Sequence, residues 1–111
     1  MRRAEIFIHD RSAGYLTEIG ESEEYVFEYH ENYDGPPISV TMPVDQKRYV
    51  YEKFPPFFEG LLPEGANLEM LLKTYKIDRD SFYDILLKVG KDTVGAVTVK
   101  EVANEAMPDN V

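Results

Sequence analysis

Cysteine is absent from the 111 residues, and only two histidines, His9 and His30, are present. Without cysteine there is no disulfide, no thiol nucleophile and no thiolate ligand for zinc, a composition that suits a reducing compartment. Long apolar runs are missing too. Nothing approaches the roughly 18 residues a membrane helix needs, and the first twenty residues hold no stretch long enough for a signal peptide. The expected location is the cytoplasm. Positive charge is scarce: 12 Lys and Arg stand against 21 Asp and Glu, a formal net charge of −9. Such a surface repels nucleic-acid phosphates and anionic lipid, so direct binding to DNA or to a membrane is disfavoured. It suits a basic protein partner, although acidity also simply keeps a small protein soluble.

Catalytic signatures are missing as well. His9 and Asp10 can be drawn into a triad with Ser12 or Ser39, but no G-x-S-x-G turn fixes their geometry. A polar histidine at a strand end is the plainer reading. No H-E-x-x-H or calcium-loop spacing occurs. Gly90-Lys91-Asp92-Thr93 has Lys and Thr after a glycine, yet the first glycine of a phosphate-binding loop is not there. Neither an H-R-D loop nor a D-F-G segment is present. The expectation is a protein with no catalytic residues, no metal and no cofactor, and hence not an enzyme.

What is present describes an ordinary globular domain: 43% hydrophobic and 30% charged residues in a length suited to one core. A chain of this size buries roughly two-thirds of its unfolded surface. Residues 4–8 alternate as a strand, with Ile6 and Ile8 on one face and Phe7 on the other. Residues 10–14 have turn composition, and 15–19 read as the second strand of a hairpin. Residues 25–29, rich in aromatic and β-branched side chains, read as a third strand. After the breaker at 32–37, residues 38–42 are expected to form a short fourth strand closed by Pro43.

The period then changes. Pro55 and Pro56 suit the entry of a short helix. Leu68, Leu71, Leu72 and Tyr75 form one helical stripe, and Phe82, Ile85, Leu86 and Val89 form another. Asp80 or Ser81 is placed to cap the latter and Gly90 to end it at C′. Residues 95–102 return to alternation, with Val97, Val99 and Val102 directed at the core. The fold class is therefore α+β: a small curved antiparallel sheet, barrel-like, of about five strands, with two or three helices inserted before the last. Residues 1–103 make up the domain, and 104–111 a flexible tail.

Two surface features invite a functional reading. Between Thr17 and Asp34 lie Glu18, Glu21, Glu23, Glu24, Glu28, Glu31 and Asp34, with no Lys or Arg among them. This is either a solvated outer face or a patch complementary to a basic partner. Tyr49, Tyr51, Phe54 and Phe57, near Lys47 and Arg48, have the makings of a base-stacking platform, but the net charge favours core packing.

The run Phe-Pro-Pro-Phe-Phe-Glu-Gly-Leu-Leu-Pro-Glu-Gly over residues 54–65 resembles the F-F-x-x-L-L-P-[DE] signature in the N-terminal subdomain of HipA-type toxin kinases. Residues 82–97, Phe-Tyr-Asp-Ile-Leu-Leu-Lys-Val-Gly-Lys-Asp-Thr-Val-Gly-Ala-Val, resemble that family's F-D-L-L-x-x-I-G-x-D-x-V-G-A-V block. Gly14-Tyr15-Leu16 resembles its V-G-x-L turn. The resemblance spans residues 4–102. In the family a kinase core follows this subdomain and supplies the nucleotide loop, catalytic aspartate and metal ligands. Here the sequence stops after the subdomain and a short tail. The resemblance therefore implies a free-standing version, similar to the HipS proteins of tripartite HipBST toxin–antitoxin systems. The implied partner is a HipT-like Ser/Thr kinase that lacks this subdomain, with a HipB-like DNA-binding protein reached through the complex. The implied role is an antitoxin or, alternatively, a structural subunit completing a split kinase. The candidate contact is Leu62, Pro63, Glu64, Gly65, Ala66 and Asn67. Pro63 limits the entropy lost on docking, and Gly65 permits a sharp turn. Some HipS-like proteins carry a bulky aromatic just after this P-E-G, suited to plugging a kinase cleft; Ala66 stands there in this chain.

Overall fold

Alternation in the first third of the chain becomes a meander of three antiparallel strands, β1 (Arg2–Ile8), β2 (Arg11–Ile19) and β3 (Glu24–Tyr29). The computed structural model describes residues 2–20, 24–90 and 96–102. Ala4, Ile6 and Ile8 face the core, as do Leu16 on β2 and Tyr25, Phe27 and Tyr29 on β3. The first hairpin is tighter than its composition suggests. Only His9 and Asp10, both at positive φ (50° and 68°), lie between the strands. Two central residues in that conformation match the natural twist of a hairpin. Of residues 10–14, expected as a turn, Arg11 to Gly14 instead belong to β2. There the register slips from Ile6↔Gly14 to Phe7↔Ser12, so Ala13 is the extra residue of a bulge. Gly14 sits where β3 passes closely: a Cβ on it would lie 2.1 Å from the Glu28 carbonyl oxygen.

The fourth strand is not at 38–42 but at β4 (Arg48–Tyr51), paired with β3. Residues 38–42 form a turn because their backbone groups are engaged elsewhere. The Ile38 N–H donates to the Tyr29 hydroxyl at 3.0 Å, and the Met42 N–H donates to the Ser39 carbonyl at 3.0 Å. The Tyr29 hydroxyl in turn donates to the Met42 carbonyl at 2.5 Å. Prolines 36, 37 and 43 on either side remove further ladder donors. The Tyr29 and Tyr33 rings stack at 5.5 Å, and the Lys47 ammonium donates to the Tyr33 carbonyl at 3.0 Å. Ile38 and Met42 are thus buried anchors, while Val40 between them is 91% exposed.

Three helices follow, α1 (Pro56–Glu59), α2 (Gly65–Tyr75) and α3 (Phe82–Val89), before β5 (Val97–Glu101) returns to pair with β1. The sheet order is β4-β3-β2-β1-β5. With β4 and β5 as its two edges the sheet is open and not barrel-like; helices, not a further strand pairing, cover its core face. Phe58 from α1 and Tyr83 and Leu86 from α3 complete the core cluster. The Tyr83 hydroxyl donates to the Leu16 carbonyl at 2.8 Å, tying α3 to β2. Ser81 occupies the N-cap of α3 but makes no side-chain cap bond. Gly90 does end α3, as its C-cap and in a right-handed conformation (φ −59°). It is needed for room: a Cβ there would lie 2.5 Å from the Val99 carbonyl oxygen. The tail expected at 104–111 and the start of the last strand at Gly95 lie outside the described residues.

Candidate partner-binding site

The α1–α2 connection is built by its prolines and glycines. Pro55 and Pro56 start α1, and the chain winds out of it through bonds from the Leu61 N–H to the Phe58 carbonyl and the Leu62 N–H to the Glu59 carbonyl, both 3.1 Å. Pro63 and the extended Glu64 then carry it to Gly65, whose φ of +63° a side chain would resist. No side chain caps α2 at this end. Of the six candidate contact residues, Leu62 and Pro63 are half-buried, and Glu64, Gly65, Ala66 and Asn67 are exposed.

Leu62, Pro63 and Glu64 form one wall of a groove of about 430 Å³ whose other lining includes Pro56, Leu68, Phe82 and Ile85. Gly65, Ala66 and Asn67 do not line it. Leu68, Phe82 and Ile85, members of the two helical stripes, thus also border the groove, with Ile85 itself buried, and periodicity alone does not separate a core residue from one that floors a surface groove. Pro56, Glu59 and Phe82 also line a second depression of about 540 Å³ that reaches Glu52 and the half-exposed Val50 of β4. An apolar surface therefore runs from the start of α2 to the edge of the sheet. Glu52, Glu59 and Glu64 stand along it, none with an ion-pair partner among the described residues. Arg79, which also borders the groove, is paired with Glu69 at 2.5 Å.

Elsewhere, polar side chains are arranged for folding. His9 and Asp10 occupy the exposed hairpin turn, away from any triad. Ser12 instead meets Glu5 (2.5 Å) and His30 Nε2 (2.7 Å) across the sheet. Its proton is directed at Glu5, and the His30 ring nitrogen meets the same hydroxyl oxygen. These contacts tie β1 and β2 to the residue that follows β3. The Arg2 guanidinium bridges Glu18 at 3.0 Å and Asp84 at 2.5 Å. Desolvation works against its charge, but the bonds to Asp84 and Glu18 outweigh it and hold its pKa above the ordinary arginine value. Arg11 holds the Asp34 carboxyl below the usual range by a hydrogen bond. Two of the carboxylates in the acidic 17–34 stretch are thus engaged, and Tyr25, Tyr29 and Tyr33 within it belong to the core. Tyr51 and Phe54 likewise pack at or against the core rather than forming a stacking platform. Among the described residues no three potential metal ligands converge, and no helix is long and apolar enough to cross a membrane.

The strand-rich opening, the α1–α2 loop with its Leu-Leu-Pro-Glu turn and the glycine closing α3 against β5 are now placed in one domain. A family model described as HipA N-terminal domain matches residues 4–100. The chain belongs to the HipA N-terminal domain family. A Haemophilus influenzae protein, described only as an uncharacterized protein, is 28% identical over 101 residues, which span 91% of this chain and 93% of that one. A solved N-terminal domain of HipA toxin shares the fold with a TM-score of 0.74 at 24% identity, covering 94% of this chain and 95% of that one. The Shewanella oneidensis HipA determined with HipB and operator DNA gives a TM-score of 0.69 at 19% identity. There the match takes in 97% of this chain but 25% of the HipA chain, so the likeness is to one part of a larger protein.

Proposed function

We propose that the chain is a non-catalytic, kinase-binding subunit of a HipBST-type toxin–antitoxin system. It binds a HipT-like Ser/Thr kinase in trans, helps neutralise it, and reaches a HipB-like DNA-binding protein through that complex, all in the cytoplasm. The observation that carries this reading is the extent of the family match, residues 4–100, together with a Haemophilus relative matched over 93% of its own length. Proteins of roughly this domain's size therefore exist, and a domain attached to a kinase core in one protein can dock non-covalently in another by burying the same apolar surface. The exposed groove beside Leu62, Pro63 and Glu64 supplies such a surface.

Ala66 favours a second reading. It is exposed at the start of α2, where a bulky aromatic would be needed to plug a kinase cleft. A subunit that completes or stabilises a split HipA-type kinase without inhibiting it needs no such side chain. Co-expression of this chain with a HipA-type kinase core lacking its own N-terminal domain separates the two. Relief of growth arrest supports neutralisation; unchanged or increased toxicity in the presence of a stable complex supports the structural role. Absence of any complex refutes both.

A further inference from the structure

Resting on that kinase-binding reading, we infer that the groove between α1, α2 and α3 is the seat for one particular kind of segment on the kinase: apolar side chains next to a lysine or arginine. The floor is apolar, with Leu62, Pro63, Leu68 and Phe82 presented to solvent or half covered. A partner must offer apolar groups to gain from it, because burying polar ones there leaves them unpaired. Charge supplies the second half of the argument. Glu52, Glu59 and Glu64 stand exposed along the groove and its continuation towards Val50, and none is in an ion pair among the described residues. On the opposing side Arg79 is already satisfied by Glu69, which leaves Lys53 as the one uncommitted cation lining this surface among the described residues. The potential is therefore negative, and a segment with its own carboxylates is repelled while one with a flanking cation is drawn in and held in register.

The shape adds a constraint. Pro56, Glu59 and Phe82 are common to both depressions, so the seat is continuous from α2 to the edge strand. Its rigid walls, Pro56 and Pro63, cost little ordering on docking. The exposed Glu24, Glu28 and Glu31 lie outside this lining and serve as an internal control of equal charge type.

The test is a calorimetric titration of the full chain into a purified HipA-type kinase core lacking its own N-terminal domain. Comparison is made between the unmodified chain, the pair Glu59→Lys with Glu64→Lys, and the pair Glu28→Lys with Glu31→Lys. The groove pair is expected to weaken binding roughly ten- to a hundredfold and to flatten its dependence on salt, while the control pair leaves affinity within about twofold. Tight binding that both pairs leave unchanged, or that both weaken equally, overturns the groove while leaving the kinase partner standing. No binding by the unmodified chain overturns the functional reading and the groove with it.

Discussion

Removal of one oxygen atom, in Tyr29→Phe, tests how the long β3–β4 connection is held. The ring is 2% exposed and packs against Phe27 and Tyr33, contacts that phenylalanine keeps. The hydroxyl is the only part lost, and it makes two bonds: it accepts from the Ile38 N–H and donates to the Met42 carbonyl. Both residues are buried, at 6% and 1% exposure, so neither group readily finds water in its place. A buried polar group left without a partner costs about 1–3 kcal/mol, and part of that is returned because the hydroxyl itself no longer needs desolvation. The expected loss is about 2–3 kcal/mol. By contrast Tyr33→Phe frees only the carbonyl of the exposed Pro36 and should cost about 1 kcal/mol or less. Tyr49→Phe releases an exposed bond to Pro43 and should cost less still. Urea denaturation of the three variants gives the ranking, and amide exchange at Ile38 locates it. Equal stability of all three, or an Ile38 amide whose protection is unchanged in Tyr29→Phe, refutes the account of the loop as pinned by that hydroxyl.

Three further outcomes are expected. Leu86→Ala, at a fully buried site, should cost about 3–5 kcal/mol as a core cavity, while Leu72→Ala, at 9% exposure on a helix that buries nothing else, should fall near 2 kcal/mol; paired denaturation curves check the order. Gly14→Ala should destabilise severely because its Cβ meets backbone at 2.1 Å, whereas Gly65→Ala, with nothing within 4 Å, should cost only the strain of positive φ, about 1 kcal/mol; melting temperatures compare them. Burial raises the phenol pKa values of Tyr29 and Tyr83 above their unfolded value, so their contribution is complete below about pH 10 and lost as pH rises through the folded values; the denaturation midpoint should hold up to about pH 9 and decline above pH 10, less steeply in Tyr83→Phe.

Much of the fold was legible from periodicity. β1, β3 and the return to β5 lie where the alternation puts them, β2 begins four residues earlier than expected at Arg11, and α3 keeps Ile85 and Leu86 of its stripe but buries Tyr83 in place of Phe82 and Val89. The misplaced fourth strand shows where that logic stops. Ile38 to Met42 alternates and is apolar, yet a tyrosine hydroxyl nine residues upstream of Ile38 takes the Ile38 amide, a tertiary competitor invisible to any local pattern. The edge strand Arg48–Tyr51 is four residues long, too short to outweigh its aromatic content as a sign of core. Gly90 makes a similar point: its position marks the end of α3, but the reason for a glycine there is the close approach of β5, which no local pattern shows. For the candidate site, the α1–α2 loop was identified from the family resemblance, while the opposite wall at the half-buried Phe82 carries no sign in the sequence beyond its place in a helical stripe.

Phe82 is half-buried, packs against the core cluster and lines the groove, so any change there confounds folding with binding. Glu59 and Glu64 are exposed and border that surface without entering the core, which makes them the positions where the two can be told apart. The unequal anchoring of the helices sharpens this. α3 buries Tyr83, Ile85 and Leu86, but α2 buries Leu72 alone, with Met70 71% and Tyr75 52% exposed. Segments with so little buried apolar surface open more readily than the rest of a domain. A ligand that binds only the closed arrangement adds its binding energy to the stability of that arrangement. A partner seated against Leu62, Pro63 and Leu68 spans the start of α2 and α3 together. Amide protection should then rise first along α2, with β1 and β2, already held by the sheet, changing little. Protection that rises instead on the outer face of β3 would place the partner on the acidic strand and not in the groove.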